Sequence, residues 1–82
     1  MTKIRNQKAI TAFGKKIKTL RKSKGLSQYN LAFEANIDRS QVIAIENGTG
    51  NPTISTIYAL AEALKVKPRE LLEWFRPLLL LS

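Results

Sequence analysis

An all-α fold of five short helices is what this sequence predicts, and three observations carry the prediction. A helix-capping residue flanked by a matching pair of apolar residues occurs twice in close succession, at Ser27 and at Asp38. Elsewhere apolar residues recur every three or four positions, the period of an amphipathic helix. No segment reads convincingly as a strand, and no internal repeat is present.

The first helix is predicted from about Ile10 to Lys24. Ile10, Phe13, Ile17 and Leu20 form one apolar stripe, Lys15, Lys16, Lys18 and Lys22 cover much of the rest, and Gly25 stops it. Residues 1–9 read as a basic arm or a frayed first turn.

The second and third helices follow at once. Leu26 precedes a Ser27 N-cap and Leu31 lies four positions beyond it, the spacing of a hydrophobic staple. Ile37, Asp38 and Val42 repeat the pattern, with Gln41 where a capping-box partner would stand. Two helix starts this close require a turn near Asn36, a residue that accepts a left-handed backbone at low cost. Gly48 closes the third helix. Residues 27–48 thus have the layout of a helix-turn-helix, whose second helix enters the major groove of DNA.

Side chains turn by about 100° per residue on a helix, so Val42 and Ile45 fall on one side of the third helix. Ala35 and Ile37 can join them against the body of the protein. Ser40, Ile43, Ala44 and Asn47 take the opposite side, with Arg39 at the N-terminal end. Arg39 suits a fork onto guanine or a phosphate, and Ser40 suits a base or a phosphate. Ala44 or Ile43 suits a thymine methyl, although Ile43 could equally pack on a neighbour.

Residues 49–52 form a turn-rich loop. Thr53 or Ser55 can cap a fourth helix, with Ile54, Ile57, Tyr58, Ala61 and Leu64 expected on its inner side. Pro68 starts the last helix, Glu70 suits its N-terminal dipole, and Pro77 ends it near Arg76. Leu78, Leu79, Leu80 and Leu81 follow. This apolar tail, 77–82, either folds back over Trp74 or meets its copy across a two-fold axis, making Trp74 and the four leucines dimer-contact candidates. The expected organisation is an arm (1–9), one DNA-binding domain (10–76) and the tail.

Composition narrows the function. The 82 residues carry fourteen Lys/Arg against six Asp/Glu, a net charge of +8, with no His and no Cys. Nine of the cations lie between Lys3 and Lys24. Such an excess favours polyanionic partners, nucleic acid before membrane. The missing His and Cys exclude disulfides, thiol nucleophiles and nearly every zinc site, so no metal or cofactor is expected. Residue 1 onward shows no secretory signal and no apolar run reaches membrane-spanning length, which fits a cytoplasmic protein. An enzyme is disfavoured: the glutamates are scattered over several helices, without motif spacing, and no glycine-rich phosphate loop is present.

Three stretches, LRKSKGLSQYNLA, ANIDRSQVIAIENG and NPTISTIYALAEALKVKPRELL, carry a family resemblance in order and spacing. From about Phe13 to Phe75 the chain resembles the Cro/repressor-type helix-turn-helix family, also called XRE or lambda-repressor-like. The resemblance implies a compact five-helix DNA-binding domain in which the second and third helices read DNA. It further implies that Gln28 bonds phosphate and buttresses the third helix, that Arg39, Ser40 and Ala44 face bases, and that Asn47 meets the backbone. Arg21 and Glu46 would tie the first helix to the third. The chain departs from the pattern at Asn30, where an acidic residue is usual, and at Asn36, where glycine is frequent. Ile43 and Ala44 stand where more polar residues are common. The expectation is a homodimeric, sequence-specific transcriptional regulator of double-stranded DNA in a bacterium or phage. The alternatives are a protein-partner module such as an antitoxin, or a controller protein of a restriction–modification system.

Overall fold

A computed structural model describes residues 5–72. Its five helices are α1 (Gln7–Ser23), α2 (Gln28–Ala35), α3 (Arg39–Asn47), α4 (Ile54–Leu64) and α5 (Pro68–Leu72); no strand occurs among the described residues. The core draws on every helix: Phe13 and Ile17, then Leu31, Ala32 and Ala35, then Val42 and Ile45, then Leu60, Ala61 and Leu64, and finally Leu71.

Local chemistry sets the helix ends. The side chains of Asn6, Ser27 and Thr53 accept backbone N–H bonds from Ala9, Asn30 and Thr56, and the Glu70 carboxylate reaches back to the Lys67 N–H at 3.0 Å. Asp38 occupies the N-cap of α3 without a side-chain cap bond. The Asn6 cap moves the start of α1 to Gln7, ahead of the expected Ile10, because an asparagine cap organises the first turn before the apolar stripe begins.

Four helices end alike. A residue in the left-handed region, Gly25, Asn36, Gly48 or Lys65, is followed by an N–H that returns to a carbonyl five positions back. These bonds join Leu26 to Arg21, Ile37 to Ala32, Thr49 to Ala44 and Val66 to Ala61. Leu26, Ile37 and Val66 then pack against the core, so each closure also anchors the next segment.

On α4 the expected face is corrected. Leu60, Ala61, Leu64 and Thr56 are buried with Ile57 half-buried, whereas Ile54 and Tyr58 are 75% and 60% exposed. The apolar residues span more than one side of this helix, so periodicity alone could not select the buried side. Trp74 and the leucine tail lie outside the described residues.

Candidate nucleic-acid interface

The placement of α3 begins with what is missing at Gly14. A Cβ there would overlap the Ile45 carbonyl oxygen and crowd the Glu46 Cα. Only glycine lets α1 and α3 approach backbone to backbone. Val42 and Ile45 then sit against the core, 0% and 3% exposed. The same rotation turns Ser40 and Asn47 outward, both exposed, with Arg39 exposed at the N-terminal end. Ile43 and Ala44 are half-buried. Ala44 owes this to the segment after α3, since Gly50 lies close against it.

A buried ion pair holds the helix from behind. Arg21 Nε donates to Glu46 Oε2 at 2.7 Å and a second guanidinium nitrogen to Oε1 at 3.0 Å, while Arg21 also donates to the Leu26 carbonyl at 2.8 Å. The two side chains are 9% and 2% exposed. Gln28 Nε2 donates to Glu46 Oε1 at 3.1 Å, so the amide at the start of α2 braces α3 through the same carboxylate. The hydrogen bond to Glu46 holds the Arg21 guanidinium above its ordinary pKa against the opposing effect of burial, with the Coulombic attraction of Glu46 adding to it.

Gln28 and Arg39 meet at one open hollow, shared with Arg21, Ser27 and Tyr29. Ser40, Ala44 and Asn47 follow along the outer stripe. A cleft of about 120 Å³ runs beside that stripe, lined by Gln41, Ala44, Gly50, Asn51, Pro52 and Thr56 among others. Gln41 is therefore a surface residue next to Ser40 and Ala44. Sequence reading assigned it only a capping role, although its position three residues before Ala44 already placed it on the neighbouring edge. Tyr29, 62% exposed at the start of α2, lines the same hollow as Gln28 and Arg39, and the sequence reading gave it no role. The dimer-contact candidates Trp74, Leu78, Leu79, Leu80 and Leu81 fall outside the described residues and are not brought to this surface or away from it.

The outer face carries Arg39 at its leading end and exposed Ser40, Gln41 and Asn47 along it, with the small Ala44 and the apolar Ile43 half-buried between them. That combination suits insertion into a major groove. No helix among the described residues is long and apolar enough to cross a membrane.

Comparison with known proteins identifies the fold and the family. A helix-turn-helix family model matches residues 17–71. The chain is 40% identical over 63 residues to control protein C.BamHI of Bacillus amyloliquefaciens, covering 76% of this chain and 78% of that protein. Among solved structures, the restriction-modification controller protein C.AhdI from Aeromonas hydrophila superposes with a TM-score of 0.74 at 45% identity, over 76% of this chain and 94% of that one. The controller protein C.Esp1396I, solved as a tetramer in complex with its natural 35 base-pair operator, superposes with a TM-score of 0.76 at 28% identity, over 87% and 95%. With the family model spanning residues 17–71 and a relative 40% identical over most of both chains, the chain belongs to the Cro/repressor-type helix-turn-helix family.

Proposed function

We propose that this helix-turn-helix protein regulates transcription by binding double-stranded DNA as a homodimer, with α3 in the major groove. The observation that carries the reading is the rotation of α3, which buries Val42 and Ile45 and leaves Arg39, Ser40 and Asn47 exposed on the far side. Arg39, Ser40 and the half-buried Ala44 and Ile43 supply base-edge contacts, and Gln41 joins them. Gln28 and Asn47 supply backbone contacts that set register without selecting sequence. The net charge of +8 supplies a phosphate-dominated affinity common to all sequences.

One copy offers one short reading helix, and a second doubles the contacts. The outward Ile54 and Tyr58 of α4 and the exposed Leu72 of α5 are apolar side chains open to a second copy, and the leucine-rich 77–82 tail follows Leu72 after four residues. Two α3 helices related by a two-fold axis would meet half-sites roughly 34 Å apart on a near-palindromic operator.

A more specific role is favoured by the relatives: C.BamHI and C.AhdI, at 40% and 45% identity, are both named as controller proteins. On that reading the protein governs expression of a restriction–modification system, acts in the cytoplasm and performs no catalysis of its own. Selection of duplexes from a random library in moderate salt, followed by footprinting, tests DNA readout; a two-fold symmetric site is expected, and sequence-indifferent binding would refute it. A restriction endonuclease or methyltransferase gene beside this one is the expected genomic context, and its absence counts against the controller role.

A further inference from the structure

Gln7 opens α1, yet its side chain serves the end of a different helix. Its Nε2 donates to the Gly48 carbonyl at 2.8 Å and to Thr11 Oγ1 at 3.0 Å, while its Oε1 accepts from Arg5 Nε at 3.0 Å. A second Arg5 nitrogen lies 3.4 Å from the same Gly48 carbonyl. Because Gly48 offers an acceptor there, the amide orientation is decided: both N–H groups are engaged, and the oxygen faces the guanidinium. Thr11 and Gln7 also close tightly over Gly48, at 3.2 and 3.5 Å from where a Cβ would stand.

Gly48 is the left-handed residue that ends α3, at φ 75°. Carbonyls at a helix C-terminus lack intrahelical partners, and cationic donors are favoured beside them. On the other side of the same turn, the Ala44 carbonyl accepts from the Thr49 and Gly50 N–H groups at 3.0 and 3.1 Å and from Thr49 Oγ1 at 3.3 Å. The chain leaving α3 is thus held from both sides, once by its own helix and once by α1. It then forms the wall of the cleft opposite Gln41 and beside Ala44.

We infer that Gln7 is a positioning residue for DNA readout: by clamping the Gly48 carbonyl it fixes the end of α3 and the adjoining segment against Gln41 and Ala44. Sequence selectivity then depends on a residue outside the helix-turn-helix. The inference rests on the DNA reading proposed above, and deepens it.

Gln7→Glu is the discriminating variant. It keeps the size of the side chain and places an acid in the first turn of α1, where the helix dipole favours it. It also sets a carboxylate oxygen against the Gly48 carbonyl, so the Gln7 bond to that carbonyl is lost while the helix is kept, and combining it with Arg5→Ala removes the second donor to Gly48. Gln7→Ala removes the group altogether. For each variant the affinity is measured for a duplex selected with the wild-type protein and for an unselected duplex of equal length. Taking the ratio of the two cancels the change in net charge.

The ratio is expected to fall about tenfold, the scale of one well-placed hydrogen bond. In the free protein, amide exchange at Thr49 and Gly50 is expected to accelerate about tenfold while Ile17 and Leu60 stay protected. An unchanged ratio overturns the positioning role, as does a fall that merely tracks lost protection throughout the core. Unchanged exchange at Thr49 and Gly50 overturns the clamp itself. A wild-type ratio of one would instead refute sequence-specific binding, and the exchange measurement, which needs no DNA, separates that failure from this one.

Discussion

Lys65 ends α4 with φ 59° and ψ 42°, a left-handed conformation in a residue with no special tolerance for it. Its counterparts Gly25, Asn36 and Gly48 were legible in the sequence because their residue types announce the turn; lysine announces nothing. An L-residue pays roughly 1–2 kcal/mol in this region, and glycine returns about 0.4–1 kcal/mol of the gain through the unfolded chain. Lys65→Gly is therefore expected to stabilise by roughly 0.5–1 kcal/mol, raising the melting midpoint by several degrees; thermal melts check it, and a lower midpoint would contradict it. The Arg21–Glu46 pair is the opposite case, since its partners lie far apart in sequence and only family resemblance suggested them. Glu46→Ala strands a buried guanidinium, and a loss of about 3–5 kcal/mol is expected in denaturant unfolding. The double variant Arg21→Met/Glu46→Leu is expected to recover part of that loss, because it removes both charges together. The raised Arg21 pKa makes that residue's contribution fully present below the ordinary arginine pKa and lost only as pH rises beyond it.

At the scale of elements, the helix-turn-helix was readable because its information is local: caps, staples and a left-handed asparagine act within one turn of themselves. The rotation of α3 was readable too, because only Val42 and Ile45 gave it a coherent apolar side. On α4 the same method failed, since Ile54, Ile57, Tyr58, Leu60, Ala61 and Leu64 surround the helix and packing against α2 and α5 made the choice. Gly14 was also silent, its role existing only where α3 crosses α1. Alanine there gains about 1 kcal/mol of helix propensity but drives a methyl group into the Ile45 carbonyl, an overpacking that costs about 1–3 kcal/mol or more. Gly14→Ala is expected to destabilise the fold and weaken DNA binding together, measured by melting and by affinity for a selected duplex. Arg39→Ala, by contrast, is expected to leave the melting midpoint unchanged. It should weaken the selected duplex by about 1–3 kcal/mol and relax specificity at one base pair.

For the whole molecule, charge and the outward apolar side chains govern behaviour. Affinity for DNA is expected to fall by about a thousandfold or more between 50 and 200 mM salt if the dimer neutralises some six or more phosphates. A titration series reads the slope directly, and a flat response would remove the phosphate contribution. Ile54→Asp with Tyr58→Asp is expected to convert dimers to monomers in sedimentation without unfolding the domain, because both side chains are already exposed. By itself the sequence determined the five helices, the Ser27 and Thr53 caps, the turn between α2 and α3, and the cationic character of the chain, all of which follow from neighbours along the chain or from simple counting, whereas it missed the Asn6 cap and expected a side-chain cap bond at Asp38 that does not form. Tertiary structure alone decided which side of α4 is buried, how closely α1 meets α3 at Gly14, and that Gln7 and Arg5 close on Gly48. Those facts belong to pairs of residues distant in sequence, whose contact energies exist only once the chain has brought them together.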